Sequence, residues 1–210
     1  MNLTPHSAPL AADLIRVVPR AAATPFVPGK PWKYLNSTAF EARYVLASHY
    51  LKPCRSVIEI GGAVTTIDRF LTGDHESVIV VDPSITPGES DTLHGARCRV
   101  SHVKAQFQDV DWVIPPGADY GLAMLGLTLM GLEAQHYSVL YDLVDRAKVT
   151  VIEFDPLWEF PRQQFERIRD GTRTRVALQL KLDLRGNDFG DLEGSFPPRG
   201  ERALYVLEPT

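Results

Sequence analysis

Apolar residues occur along this chain in short runs, separated by polar segments rich in glycine and proline. Short apolar runs bounded by turn residues are typical of strands buried on both faces of a parallel sheet. The pattern therefore predicts a series of buried parallel strands, with helices packed on them. The predicted strands cover residues 57–60, 78–81, 99–103, 120–125 and 149–154.

Segments with helical spacing of apolar residues lie before, between and after these runs. The first, from Leu35 to Leu51, ends just before Pro53, which is typical of a helix boundary. Alternating strands and helices indicate an α/β fold. We predict a doubly wound, mostly parallel, seven-stranded sheet with helices on both faces and an antiparallel C-terminal strand. The other predicted elements are helices over 65–71, 133–147 and 158–169, and late strands over 175–184 and 202–207.

Residues 1–34 differ from the rest, because prolines and alanines interrupt any periodic pattern there. We expect this stretch to be an irregular N-terminal arm and residues 35–210 to form a single domain. A chain of 210 residues, 44% of them hydrophobic, is sufficient for one domain with a full core.

Charge and cysteine content exclude several classes of function. The net charge is −4 and no long basic run is present, so nucleic acid is an unlikely partner. Cys54 and Cys98 lack metal-ligand spacing, so we expect buried reduced thiols and no metal site. No run approaches the roughly 20 apolar residues needed to cross a bilayer. These features predict a cytoplasmic protein without a membrane segment.

The end of the first predicted strand carries the most informative motif. Gly61, Gly62 and Ala63 follow the strand directly, and glycine lets the backbone turn sharply or approach a ligand closely. Asp82 ends the next strand, 21 positions after Gly61, near the spacing at which nucleotide-binding folds place a carboxylate on a ribose. The combination indicates an adenosine-containing cofactor. Asp82 before Pro83 also suits an ordinary turn.

This arrangement resembles the class I S-adenosylmethionine-dependent methyltransferases, whose first strand carries the pattern E/D-x-G-x-G-x-G. Glu59 and Gly61 match its first two positions, whereas Ala63 and Thr65 replace its later glycines. A dinucleotide dehydrogenase fits less well, because its fingerprint requires glycine at Ala63 and Thr66. Glu59 itself suits either a place beside the cofactor or a structural contact with a buried amide.

The resemblance implies a cofactor site for S-adenosylmethionine along the ends of the first four strands. Asp82 would accept hydrogen bonds from the ribose hydroxyls. Gln106 with Phe107, or alternatively Asp109, would lie near the adenine. The implied cofactor-binding residues are Glu59, Gly61, Gly62, Ala63, Asp82, Pro83, Gln106, Phe107, Leu125 and Gly126.

Candidate catalytic residues follow the fourth and fifth strands, at the edge where ligands of open sheets bind. His136 and Tyr137 are candidates for removing a substrate proton, and Asp155 for contacting the substrate. Helix-start or turn positions are the alternative for all three. Tyr34, Trp158 and Phe189 are the predicted substrate contacts, and Phe189 belongs to a loop that suits a lid or a solvated hairpin.

The resemblance implies O- or N-methylation of a small-molecule acceptor. The cofactor carries the demanding chemistry, so the protein need mainly align the acceptor with the methyl group. The replaced glycines support an alternative, a catalytically inactive protein of this fold that serves as a binding or partner subunit. The oligomeric state stays open.

Overall fold

A twisted sheet of eight strands forms the centre of the computed structural model, which describes residues 15–20, 38–62, 65–126, 128–183 and 201–210. A separate two-stranded ribbon and three helices complete the described part. The elements are β1 (Arg16–Pro19), α1 (Thr38–Leu51), β2 (Ser56–Ile60), β3 (Ser77–Val81), β4 (Gly88–Leu93), β5 (Ala96–Val103), β6 (Val110–Val113), β7 (Tyr120–Met124), α2 (Tyr137–Arg146), β8 (Val149–Phe154), α3 (Glu159–Gly171), β9 (Thr174–Asp183) and β10 (Glu201–Pro209).

The sheet order is β4-β5-β3-β2-β7-β8-β10-β9. Its five central strands, from β5 to β8, are parallel, as predicted. β10 is antiparallel to both β8 and β9, which confirms the predicted antiparallel C-terminal strand. Because the chain builds β3 and β5 on one side of β2 and β7 and β8 on the other, the order reverses between β2 and β7.

Two apolar layers explain why β2, β3, β7 and β8 are mainly apolar on both faces. Ile58, Ile60 and Met124 belong to the core under α2 and α3. Val57 and Ala123, on the opposite face, belong to the core under α1. Helices therefore cover both faces of the sheet, as predicted, and every residue of β2, β3, β7 and β8 is buried.

β1 and β6 form an antiparallel ribbon that the apolar pattern did not predict. Ile15 and Val110 of this region are buried in the core under α2 and α3, with Val17 and Trp112 packed against it. Residues 16–19 thus form a strand within the stretch expected to be irregular. The rest of that stretch lies outside the described residues.

The predicted helix over residues 65–71 is wrong. The structure has only a single 3₁₀ turn, Ile67–Arg69, between β2 and β3. A seven-residue segment gains few helical hydrogen bonds against the cost of nucleation. Thr65, Thr66 and Ile67 are also β-branched, which lowers helix propensity further.

The sheet has one strand more than predicted, because β4 forms a hairpin with β5 in what was expected to be a loop-rich crossover. The turn residues His94 and Gly95 both have positive φ, 49° and 83°, which suits a tight hairpin turn. β4 is polar and exposed except at Leu93, so no apolar run marks it. The other predicted helices are confirmed, although the first turn of the 133–147 segment is 3₁₀ (Ala134–His136). No helix in the described ranges combines the length and apolarity that crossing a membrane requires.

Candidate functional site

The carboxyl ends of the five parallel strands meet at one edge of the sheet, and most predicted cofactor residues lie there. Ile60 pairs with both Val81 and Met124, so Gly61, Asp82 and Leu125 follow one another across this edge. The Gly61 amide donates to the Val81 carbonyl at 3.0 Å, and the Asp82 amide donates to that of Val103 at 3.1 Å. The predicted residues Glu59, Gly61, Gly62, Asp82, Pro83, Gln106, Phe107, Leu125 and Gly126 are thereby gathered at the ends of neighbouring strands.

Gly61 turns the chain sharply away from β2. Its φ is +92°, which glycine adopts readily and other residues do not. A Cβ here would lie 2.2 Å from Oγ1 of Thr128. The same hydroxyl is 2.8 Å from the Ile60 carbonyl and 3.0 Å from that of Leu125, and its one proton serves one of them at a time. Glycine is required at this position because Thr128 fills the adjacent space.

Glu59 lies fully buried beneath the loop that follows β2. Its Oε2 accepts the Ile67 amide at 2.8 Å, and a Cβ on Gly62 would lie 2.5 Å from the same oxygen. Oε1 has no hydrogen-bond partner within the described part of the chain. Burial raises the pKa of Glu59 to about 8, although the Ile67 amide opposes the shift. The side chain is therefore mainly protonated at neutral pH, and it anchors a backbone amide next to the site.

α1 contacts the same loop through Tyr44. The Tyr44 hydroxyl donates to the Thr65 carbonyl at 2.7 Å and accepts a hydrogen bond from Arg43 at 3.3 Å. Burial raises the pKa of Tyr44 to about 12, so the hydroxyl keeps its proton. Three contacts thus surround the loop. Thr128 lies against Gly61 at its start, Glu59 bonds the Ile67 amide after it, and Tyr44 bonds the Thr65 carbonyl. Ala63, a predicted cofactor contact, lies outside the described residues.

Asp82 occupies the end of β3 with only 6% of its surface exposed. Its Oδ1 accepts the Ser84 amide at 2.6 Å, so the Asp-Pro turn anticipated from the sequence is present. Burial raises the pKa of Asp82, while the amides of Ser84 and Ile85 act in the opposite direction. A carboxylate accepts about four hydrogen bonds, so the turn leaves capacity for a ligand hydroxyl.

Gln106 and Phe107 follow β5, as predicted, but they point to different environments. Oε1 of Gln106 accepts a hydrogen bond from Gln108 at 2.5 Å. Phe107 is buried in the core under α2 and α3, with its ring edge-on to that of His136 at a centroid distance of 5.8 Å. Of this pair, Gln106 is the better candidate for a cofactor contact.

The three candidate catalytic residues follow β7 and β8 and are nearly buried. Nδ1 of His136 accepts the Glu133 amide at 3.1 Å. Burial raises the pKa of Tyr137, whose ring lies 6.0 Å from the guanidinium carbon of Arg167. Oδ1 of Asp155 accepts the Leu157 amide at 2.9 Å. These contacts are those of helix-start and turn residues, and a catalytic role for the three remains a prediction.

Among the predicted substrate contacts, Trp158 lies at the same edge. It is half-buried and immediately precedes α3, which begins at Glu159. Tyr34 and Phe189 lie outside the described residues. The predicted lid, which contains Phe189, lies there as well.

A buried charged network beside Gly126 was missed at the sequence level. Glu153 in β8 is fully buried, and its carboxylate bonds Arg202 of β10, Arg43 of α1 (3.4 Å) and the Gly126 amide (2.8 Å). Burial alone would raise the pKa of Glu153, but the two arginines outweigh it and the net shift is downward. Arg202 also donates to the Gly126 carbonyl at 3.1 Å. The only sequence signal was a carboxylate within an apolar run, because the arginines come from distant elements.

Of the described residues at this edge, Asp82 has the chemistry to bind the ribose of a nucleoside such as that of S-adenosylmethionine. Asp82 offers a carboxylate at the end of β3, beside the Gly61 turn. Side chains of the protein lie against both glycines, Thr128 against Gly61 and Glu59 against Gly62. Asp82 and Gln106 would therefore be the residues to hold such a cofactor, beside the turn at Gly61 and Gly62.

Comparison with known proteins gives a structural match without a sequence match. No family model matches this chain, and no curated protein is detectably similar in sequence. The N-methyltransferase NodS from Bradyrhizobium japonicum WM9 has a TM-score of 0.55 at 8% identity, over 83% of this chain and 98% of that one. A provisionally assigned RNA methyltransferase from Pyrococcus horikoshii has a TM-score of 0.51 at 11% identity, over 86% of this chain and 90% of that one. At such identities the likeness concerns the fold.

Proposed function

We propose that this chain, whose fold is that of the class I S-adenosylmethionine-dependent methyltransferases, binds S-adenosylmethionine and methylates a small-molecule acceptor. The supporting observation is the position of Gly61 and Asp82. Gly61 turns away from β2 where the strand order reverses, and Asp82 ends the adjacent strand. Open α/β sheets bind their ligands in the crevice at such a reversal, outside the carboxyl ends of the strands.

Different residues at this edge would bind different parts of the cofactor. Asp82 would accept hydrogen bonds from the ribose hydroxyls, since its carboxylate is engaged by the Ser84 turn only in part. Gln106 would approach the adenine from the end of β5. Gly61 and Gly62 give the loop its shape, and Glu59 anchors the loop through the Ile67 amide.

Bound S-adenosylmethionine supplies an electrophilic methyl group, so the protein mainly has to align the acceptor. A general base assists a hydroxyl acceptor more than an amine. Asp155 and His136 are the proposed bases, because both follow strands that end at this edge. Trp158 is the proposed acceptor contact next to them. The net charge of −4, without a long basic run, favours a small acceptor over nucleic acid.

Calorimetric titration with S-adenosylhomocysteine tests the cofactor site, using wild type, Asp82→Asn and Asp91→Asn. Asparagine retains an oxygen for the Ser84 amide, so Asp82→Asn keeps the turn but removes the charge and one acceptor oxygen. We expect its dissociation constant to rise about tenfold or more, as for a lost charged hydrogen bond. Asp91, exposed on the edge strand β4, is the matched control and should have no effect. Equal affinity of wild type and Asp82→Asn would refute the assignment of Asp82.

A second function, binding without catalysis, is favoured by a specific observation. Both loop glycines contact the protein's own side chains, Thr128 and Glu59, and a 3₁₀ turn replaces the expected helix after the loop. A folded wild-type protein that binds neither S-adenosylmethionine nor S-adenosylhomocysteine would favour this reading. The search would then turn to protein partners.

A further inference from the structure

We infer that Thr128 is a positioning residue that sets the separation of the β2 and β7 loops, and thereby the affinity for the cofactor. This inference rests on the function proposed above. It concerns the crevice between the two central strands, whose loops diverge beyond the Ile60–Met124 pair.

The two loops leave the sheet in opposite directions. After β2, the Gly61 amide bonds the Val81 carbonyl, so the chain is drawn toward β3. After β7, the Gly126 amide bonds the Glu153 carboxylate and the Gly126 carbonyl accepts from Arg202, so the chain is drawn toward β8 and β10. The divergence opens the crevice at the reversal of strand order, where ligands of such sheets bind.

Thr128 bridges this opening. Its hydroxyl lies within hydrogen-bond distance of Ile60, at the end of β2, and of Leu125, just after β7. Ile60 is 68 positions away in sequence, so the contact joins two separate parts of the fold. The hydroxyl lies between the two carbonyls and shares its one proton between them, so it links the end of β2 to the chain after β7 and limits their separation.

Gly61 is matched to this contact. A Cβ on Gly61 would lie 2.2 Å from Oγ1, 3.2 Å from Cβ and 3.4 Å from Cγ2 of Thr128. No larger residue at position 61 would leave the threonine in place. Glycine at position 61 therefore leaves the space that the Thr128 side chain occupies.

Removing the hydroxyl removes its hydrogen bond between the two sides of the crevice, so ligand binding must order them. Order that must be acquired on binding lowers affinity. Valine has the shape of threonine without the hydroxyl, which makes Thr128→Val the informative variant. Serine keeps the hydroxyl and should restore the contact.

The experiment is a calorimetric titration with S-adenosylhomocysteine, accompanied by thermal unfolding of each variant. We expect Thr128→Val to raise the dissociation constant about three- to tenfold, the effect of one neutral hydrogen bond. Thr128→Ser should stay within about twofold of wild type, because the bond is retained. Thr128→Ala, which removes the hydroxyl without adding bulk beside Gly61, carries the same expectation as valine and replaces it if Thr128→Val does not fold.

Thr150→Val is the matched control. Thr150 is buried in β8 with 1% exposure, and its hydroxyl has no hydrogen-bond partner among the described residues. Its removal should leave affinity unchanged. The inference is overturned if wild type binds and the Thr128 variants bind equally well, or if Thr150→Val weakens binding as much. Absence of binding by wild type would instead overturn the proposed function, and this inference with it.

Discussion

Glu59 shows how burial decides the chemistry of a single side chain. Its pKa rises from 4.5 to about 8, chiefly through burial. Between these values the native state holds a proton that the unfolded state has released, so stability falls as pH rises through this window. Below pH 4.5 Glu59 is protonated in both the native and the unfolded state, and its contribution to the pH dependence of stability disappears.

The stability of Glu59→Gln should depend less on pH than that of wild type. The wild-type free energy of unfolding should fall between pH 5 and 8 by up to about 1.4 kcal/mol per pH unit more than the variant's. Urea unfolding of both proteins at several pH values measures the difference. Glu166→Gln, on the exposed face of α3, serves as the control. Parallel wild-type and Glu59→Gln profiles would show that Glu59 is ionised in the native state.

Glu153 lies in a similar environment, but its pKa is lowered where that of Glu59 is raised. It too is a fully buried glutamate within an apolar strand on the α1 side of the sheet. Arg43 and Arg202 lower its pKa and compensate its charge. The sequence marks both glutamates as unusual, but it does not tell which is neutral. That depends on arginines more than 40 residues from Glu153: both bond its carboxylate, whereas at Glu59 burial outweighs the attraction of Arg43.

At the scale of elements, burial explains which predictions succeeded. Four of the five central strands, β2, β3, β7 and β8, are buried on both faces, which is why each is a mainly apolar run. β4 is polar and exposed, and β1 and β6 are short strands outside the main sheet. β4 therefore left no apolar signal, and the apolar runs of β1 and β6 are cut short by Pro19 and Asp111. The segment 65–71 has helical spacing but is too short for its local pattern to outweigh the cost of helix nucleation.

The packing of α1 on β7 leaves no room for a side chain at Gly121. A Cβ at this position would lie 2.4 Å from Cδ2 of Leu51 and 3.0 Å from Sγ of Cys54. Gly121→Ala should destabilise the protein by about 1–3 kcal/mol, because the end of α1 must shift outward. Chemical denaturation measures the change. Gly88→Ala, where no atom lies within 4 Å of the new methyl group, is the control, and equal effects of the two would contradict this packing.

At the scale of the whole molecule, the sequence predicted which edge of the sheet carries the candidate site but not the contact that Thr128 makes across it. Gly61, Asp82 and Leu125 could be placed together because parallel strands end at the same edge. Thr128 could not, since no spacing rule links it to Gly61. Its position depends on the 3₁₀ turn Thr128–Gly131, which follows β7 and brings its hydroxyl to the Ile60 carbonyl.

The most direct test of the central claim is a titration of the ¹⁵N-labelled protein with S-adenosylhomocysteine, followed by amide chemical shifts. A cofactor site at the carboxyl edge predicts that the amides of Gly61, Gly62 and Asp82 shift together with one dissociation constant. Those of Tyr141 and Gly171, in the groove between α2 and α3, should not move. Absence of shifts at the edge, or shifts confined to the α2–α3 groove, would contradict the account.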